Sequence, residues 1–96
     1  MIGIVAKLEI KEGKQAEFEV VAKDLMAKVK ANESGCTTYQ LYKQKGSDTT
    51  YIFMEEYSSD EALAAHGKTD YFKAAQGGLG ACLAGAPDIQ IFDIVE

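Results

Sequence analysis

Hydrophobic and polar residues alternate at the start of the chain. From residue 2 to residue 11 every second position is apolar, and the residues between them are mostly charged or small; the apolar set is Ile2, Ile4, Ala6, Leu8 and Ile10. A period of two is typical of a β-strand with one buried face. Glu12 and Gly13 then end the pattern, so the sequence predicts a first strand over residues 2–11.

The period changes over residues 14–31. Apolar residues there recur every three or four positions, which predicts an amphipathic helix; they are Phe18, Val21, Ala22, Leu25 and Val29. Acid-before-base pairs four residues apart, such as Glu19 with Lys23, favour a helix on the polar side. The segment from Asn32 to Gly35 ends the helix, and its Asn or Gly suits a left-handed cap.

Two segments rich in Thr and Tyr follow. Residues 36–44 and 49–57 both favour β-strands, and only a short turn separates them. A short connection between two strands predicts an antiparallel hairpin.

The last part of the chain predicts two helices and a strand. Ser58, Ser59 or Asp60 can cap a short helix over 61–66, which we expect Gly67 to end. Thr69 or Asp70 then caps a helix that its glycines weaken. Residues 88–95 predict a final strand with one face formed by Ile89, Ile91, Asp93 and Val95.

This order of elements, β-α-β-β-α-β, indicates one α+β domain over residues 1–96. Its usual solution is the ferredoxin-like fold, a four-stranded antiparallel sheet with both helices on one face. The sequence keeps apolar or aromatic positions on both faces, with Ile2 and Ile4 against Val5, Tyr39 and Leu41 against Tyr42, and Ile52 and Met54 against Tyr51 and Phe53. The face opposite the helices is therefore apolar too. Because its own helices do not cover that face, we expect a homodimer that pairs through it.

The net charge of the chain limits the classes of molecule that it is expected to bind. The chain has a net charge of −5, and all ten basic residues are lysines. An acidic chain without Arg is a poor candidate for nucleic-acid binding. There is no apolar run long enough for a membrane span and no signal-peptide pattern at the start, so we expect a cytoplasmic protein.

The sequence carries no signature of a cofactor or a metal site. Cys36, Cys82 and the single His do not form a zinc pattern, and the two cysteines are expected to be reduced thiols. The Gly-rich stretch over 76–81 lacks the spacing of a dinucleotide turn. If the protein is an enzyme, its substrate is expected to supply the reactivity.

His66 is the residue that attracts a catalytic role, because His titrates near neutral pH. The residue pattern leaves open a structural role instead, with the ring capping a helix or bonding a backbone carbonyl. Phenols such as Tyr39 can line a pocket for a flat aromatic ligand, although core packing is their commoner role. Glu55 and Glu56 are neighbours in one strand, so they point to opposite faces and cannot act as a pair.

Two motifs resemble the antibiotic biosynthesis monooxygenase domain. Residues 57–66 read YSSDEALAAH and are followed by Thr69-Asp70-Tyr71-Phe72, which is similar to that family's strand end, helix and His segment. Residues 33–39 match its pattern E-x-G-C-x-x-Y at the start of the second strand. The resemblance covers nearly the whole chain.

The resemblance implies a dimeric α/β barrel with a pocket between sheet and helices in each subunit. It also implies a cofactor-free monooxygenase that oxidises a quinol or polyphenol with O₂. By position, His66 and Tyr39 match recurring pocket residues. We therefore expect His66 to act as the base and Tyr39 to bond the substrate oxygen, with the substrate-binding walls formed by Phe53, Tyr57, Tyr71 and Phe72.

The chain departs from some branches of this family. Tyr57 stands where Trp is often found, and Gln76 stands where the haem-degrading branch has its haem-ligating His, so we expect no haem. The absence of Arg argues against a branch that isomerises a phosphorylated sugar derivative. The alternative function is a non-catalytic dimeric barrel that binds a ligand or is associated with stress, and oxygen consumption with quinols distinguishes it from an enzyme.

Overall fold

A computed structural model describes all residues from 1 to 96 and confirms the ferredoxin-like α+β fold. Four strands and three helices follow one another as β-α-β-β-α-α-β; they are β1 (Ile2–Glu9), α1 (Gln15–Asn32), β2 (Cys36–Lys43), β3 (Thr50–Tyr57), α2 (Asp60–Lys68), α3 (Asp70–Cys82) and β4 (Asp88–Asp93). None of these helices is long and apolar enough to cross a bilayer.

The four strands form one antiparallel sheet in the order β2-β3-β1-β4. In the central strand β1, Ile4 lies opposite Glu55 of β3 and Ile91 of β4. Directly opposed residues point to the same side of a sheet, so the register assigns every strand residue to one of two faces. We call them the covered face, which the helices pack against, and the open face.

The covered face holds the core. Helix α1 buries the stripe that its period predicts, consisting of Phe18, Ala22, Leu25 and Val29. The ring of Phe18 packs on that of Tyr51, with 4.8 Å between centroids. The alternating residues of β1 from Ile2 to Leu8 are buried beside them, as their period of two predicts.

The register places five apolar side chains on the open face. Val5 and Ile52 are half-buried, whereas Tyr42, Met54 and Phe92 are 42–48% exposed. They form one apolar patch across the strands, and no helix of the same chain covers it.

The end of α1 differs from the prediction of a left-handed cap. Glu33 ends the helix in an extended conformation with φ −117°, and Gly35 does not have a positive φ. Gly35 is needed for another reason: a Cβ built there would lie 2.7 Å from the Cβ of Ala62 in α2. The glycine thus allows α2 to pack closely against the start of β2.

Thr69 separates the two later helices. Ser59 caps α2 by accepting a hydrogen bond from the backbone N–H of Ala62, and Thr69 caps α3 in the same way through Phe72. The prediction that Gly67 ends the first of these helices is wrong, since α2 continues two residues beyond the predicted 61–66, to Lys68, before the chain becomes extended at Thr69. The first and last strands, β1 and β4, end two residues earlier than their patterns predict.

Candidate functional site

A cavity of about 550 Å³ lies between the covered face and the helices α2 and α3. Most of its lining is apolar, with Leu63 from α2, Leu79 from α3 and Ile4 from β1. Ile89 of the edge strand β4 also lines it and remains 56% exposed, because no helix packs over that strand. The cavity is therefore an apolar chamber with its rim at the β4 edge of the sheet.

Four of the six residues predicted for the site line this cavity. Tyr39 and Phe53 reach it from the sheet, and His66 and Phe72 reach it from α2 and α3. The rings of Tyr39 and Phe53 are 5.3 Å apart between centroids. Residues far apart in sequence are thus brought together on one chamber.

His66 is packed among aromatic rings. Its side chain is 4% exposed, and its ring centroid lies 4.5 Å from that of Phe72, 5.2 Å from Tyr39 and 5.5 Å from Tyr57. This packing holds the imidazole in one position at the cavity wall.

Glu33 holds the other side of the His66 ring. The Nδ1 atom of His66 lies 3.0 and 3.1 Å from the two carboxylate oxygens of Glu33. A carboxylate only accepts hydrogen bonds, so we assign the proton of the neutral imidazole to Nδ1, which leaves Nε2 as the acceptor. The structural alternative of a ring that bonds a backbone carbonyl does not describe His66.

Tyr71 completes this network from α3. Its hydroxyl donates a hydrogen bond to Oε2 of Glu33. Burial and the adjacent Glu33 carboxylate raise the pKa of Tyr71 to about 12, so the phenol remains a donor at neutral pH. Tyr71 does not line the cavity; it lies with Glu33 at a smaller depression. It is therefore linked to His66 only through the Glu33 carboxylate.

Two polar atoms open on the cavity without a partner in the protein, Nε2 of His66 and the hydroxyl of Tyr39. Every fully buried side-chain nitrogen or oxygen in the structure has a hydrogen-bond partner, and these two atoms have none, so each keeps some accessible surface, and both residues line the cavity. Burial, followed by the charge of Glu55, raises the pKa of Tyr39. The cavity thus offers an imidazole acceptor beside a phenol donor.

Glu55 is a third polar group of the cavity, which sequence reasoning did not place there. It is 9% exposed and lies opposite Tyr39 in the sheet. The hydroxyl of Tyr57 donates to its Oε1 atom over 2.7 Å. Burial raises the pKa of Glu55, while the bond from Tyr57 and the proximity of His66 act in the opposite direction. Tyr57 itself is fully buried and does not line the cavity.

The predicted orientation of the two adjacent glutamates agrees with the register. Glu55 points to the covered face, and Glu56 points to the open face, where it accepts a hydrogen bond from the hydroxyl of Thr38 over 2.8 Å. The alternation of side chains along β3 is enough to place the two glutamates on opposite faces. Only the positions of the helices show that Glu55 lines a cavity.

The two cysteines are free thiols. Burial raises the pKa of Cys36 to about 11, and burial also raises that of Cys82, so neither favours the reactive thiolate form. No group of three His, Cys, Asp or Glu side chains is arranged to hold a metal ion.

The fold, the cavity and the two motifs define one family. The family model for the antibiotic biosynthesis monooxygenase domain matches residues 1–78, and the chain belongs to this family. Both motifs, residues 33–39 and 57–66, lie within the matched part.

Solved and curated proteins agree with this assignment. The crystal structure of a "putative antibiotic biosynthesis monooxygenase" from Caulobacter crescentus is 53% identical, with a TM-score of 0.96, and the match covers 99% of this chain and 90% of that one. The "Putative monooxygenase YcnE" of Bacillus subtilis is 29% identical over 76% of both chains. An uncharacterised Synechocystis protein, sll1783, is 26% identical over 99% of this chain, which spans 64% of that protein's length.

Proposed function

We propose that this protein is a cofactor-independent monooxygenase that oxidises a quinol or related polyphenol with O₂. The observation that carries the proposal is the pairing of an Nδ1-anchored imidazole with an unpartnered phenol on one apolar cavity. Membership of the antibiotic biosynthesis monooxygenase family supports the oxygenase class, and the chemistry of the cavity supports the phenolic substrate.

The cavity suits a flat aromatic ligand. Its volume of about 550 Å³ falls within the usual range of about 300–1,000 Å³ for small-molecule sites. Phe53 and Phe72 provide apolar walls, and the polar atoms are few and fixed. We propose direct contact with the substrate for these two residues, and an indirect role for Tyr57 and Tyr71 through the glutamates that they bond.

His66 is the proposed base. Nε2 accepts the proton of a substrate hydroxyl, and the resulting imidazolium is stabilised by the Glu33 carboxylate on Nδ1. Tyr39 donates its hydroxyl proton in a hydrogen bond to the phenolate oxygen that forms. The reaction therefore begins with a substrate anion held in a largely dry chamber.

The phenolate then reacts with O₂ without an external reductant. It passes one electron to O₂, and the two radicals combine at a ring carbon. One oxygen atom stays on the ring and the other leaves as water, so that a hydroquinone and O₂ give a hydroxyquinone and H₂O. The substrate supplies all four electrons.

We also propose that two copies pair through the open face. Proteins with this domain are commonly dimeric. The patch formed by Val5, Tyr42, Ile52, Met54 and Phe92 has no cover within the chain. Hiding it against a second copy would remove this apolar surface from water.

Oxygen uptake tests the proposed activity. A panel of reduced hydroquinones and naphthoquinols is added to the protein with a metal chelator and no flavin, and O₂ consumption is followed together with the mass of the product. We expect turnover for at least one quinol and a loss of about 10²- to 10⁴-fold in the His66→Ala variant. Tyr39→Phe removes the proposed hydrogen bond to the phenolate oxygen and should also slow turnover; its matched control is Tyr42→Phe, which removes a phenol from the open face of the same strand.

Two results would contradict the proposal. A folded His66→Ala variant with full activity removes His66 as the base. Quinols that bind in the cavity without any turnover would favour a ligand-binding protein instead.

A further inference from the structure

Glu55 is the one acidic side chain on the cavity that the proposed chemistry does not use. His66 takes the proton and Tyr39 holds the phenolate oxygen, and neither step requires a second carboxylate. Yet Glu55 lies on the cavity wall, 9% exposed, directly across the sheet from Tyr39.

Only one oxygen of this carboxylate is satisfied inside the protein. Oε1 accepts the hydrogen bond of Tyr57, and Oε2 has no donor within reach. Because no fully buried polar atom of the structure is left without a partner, Oε2 keeps some accessible surface, and Glu55 is one of the residues that line the cavity. A carboxylate whose second oxygen faces an apolar chamber is costly to maintain unless something bonds it there.

No lysine of the protein forms an ion pair with this carboxylate. The ion pairs made by lysines involve Glu17, Glu19 and Asp24, all of which lie on α1. An acidic group is not needed at position 55 to satisfy the hydroxyl of Tyr57, because the neutral side chain of Gln would accept the same hydrogen bond. The structure thus retains a carboxyl group with one unbonded oxygen on the wall of a cavity where a ligand fits.

We propose that Glu55 is a second point of substrate recognition, at which Oε2 accepts a hydrogen bond from a second hydroxyl of the aromatic ring. The inference rests on the proposed function, because that function supplies the first point of recognition, the substrate hydroxyl that contacts His66 and Tyr39. An aromatic ring with two hydroxyls would then be bound through both of them, whereas a ring with a single hydroxyl would leave Oε2 of Glu55 without a hydrogen bond.

Two-point binding fixes the orientation of the ring as well as its affinity. A ring held at one hydroxyl can rotate in an apolar chamber, whereas a ring held at two presents the same edge to O₂ at every turnover. A site built to bond a hydroxyl discriminates strongly against the analogue that lacks it, because its own buried acceptor is then left unpaired. Glu55 would therefore set specificity and would not itself move a proton.

Anaerobic binding tests this inference apart from catalysis. Under nitrogen, the affinities of naphthol and of a series of dihydroxynaphthalene isomers are measured by titration calorimetry with the wild-type protein. We expect the best dihydroxy isomer to bind about 10- to 100-fold more tightly than naphthol, as a hydrogen bond to a charged acceptor provides. Dihydroxy isomers that all bind within about twofold of naphthol would overturn the inference.

The Glu55→Gln variant assigns the preference to this side chain. Gln keeps the shape and the acceptor for Tyr57 but loses the charge, so we expect the affinity for naphthol to change little and the preference for the second hydroxyl to vanish. Glu56→Gln, the neighbour on the open face, should keep the preference. A Glu55→Gln protein that still prefers the dihydroxy ligand would also overturn the inference, and the wild-type comparison holds even if the variant fails to fold.

A cationic ligand separates hydroxyl recognition from charge attraction. Aminomethylnaphthalene carries an ammonium group that a bare carboxylate would attract, and tighter binding of this amine than of every dihydroxy isomer would contradict the proposal. The outcome is also distinct from that of the oxygenase test. A preference without O₂ uptake would leave Glu55 as a recognition residue in a binding protein, whereas O₂ uptake without preference would remove Glu55 alone.

Discussion

The two faces of the sheet are built from the same strands but differ in what they carry. On the covered face, the polar groups are buried and few, and Tyr39 and Glu55 meet His66 of α2 around a cavity. On the open face, apolar side chains such as Met54 and Phe92 are exposed in one patch with no cavity of comparable size. The proposed chemistry therefore belongs to the covered face and the proposed association to the open one, and a change of one residue along a strand separates them.

A charge on the open face is the largest expected disturbance. Met54 lies at the centre of the patch, opposite Val5, so Met54→Glu would place carboxylates from both copies in one apolar interface. We expect the wild-type protein to be a dimer at micromolar concentration and the variant to associate at least about 100-fold more weakly, as measured by sedimentation. Ala74→Glu, on the exposed side of α3, adds the same charge and should remain dimeric.

A wild-type chain that sediments as a monomer would contradict the proposal that the open face is a dimer interface. A Met54→Glu variant with unchanged association would contradict it as well.

Gly35→Ala should lower the free energy of unfolding by about 1–3 kcal/mol. The new Cβ would lie 2.7 Å from that of Ala62, so α2 would have to move away from the start of β2. Gly77→Ala in α3 is the matched control, since a Cβ there meets nothing within 4 Å and the helix gains up to about 1 kcal/mol. Urea denaturation measures both. Equal effects of the two substitutions would contradict the close packing of α2 on β2.

Glu33→Gln should slow turnover about tenfold while leaving KM nearly unchanged. The variant removes the negative charge beside Nδ1 of His66, so the imidazolium loses its partner during the reaction. Nitrogen NMR of the imidazole should also show a smaller fraction of the Nδ1–H tautomer. Asp24→Asn, which removes an exposed charge paired with Lys28, should change neither measurement. An unchanged tautomer and rate would remove Glu33 as a positioning residue.

Glu55→Gln should produce the smallest effect, a change in how stability depends on pH. The pKa of Glu55 is raised by burial above its unfolded value, so the folded protein binds the proton more strongly and loses stability as the pH rises through that window. We expect Glu55→Gln to raise the melting temperature more at pH 8 than at pH 4. Glu56→Gln should not show this difference, and a wild-type stability that rises with pH relative to Glu55→Gln would contradict the assignment.

The fold was predictable because it depends on local periods. The alternation from Ile2 to Leu8 and the three-four spacing in α1 assign faces without any tertiary information. The ends of the helices were less predictable, and Gly67 lies inside α2 instead of ending it. Gly35 allows α2 to pack closely on the start of β2. The sequence does not reveal this role, because Ala62, the residue that Gly35 contacts, is distant in the chain.

The candidate site was predictable only in part. Tyr39, Phe53, His66 and Phe72 meet on the cavity as the family resemblance implied, while Tyr57 and Tyr71 bond glutamates instead. Glu33 lies 33 residues from His66, and no local pattern joins a helix end to an imidazole. Its place at the start of the E-x-G-C-x-x-Y motif was the available signal.

The most direct test of the central claim is to map where an aromatic ligand binds. Under nitrogen, a dihydroxynaphthalene is titrated into isotope-labelled protein, and the backbone amide and ring signals are followed by NMR. The account predicts saturable shifts around the cavity, at His66, Phe53 and Gly80, with unchanged signals at Val5, Tyr42 and Phe92. Shifts confined to the open face, with the His66 ring unaffected, would contradict it.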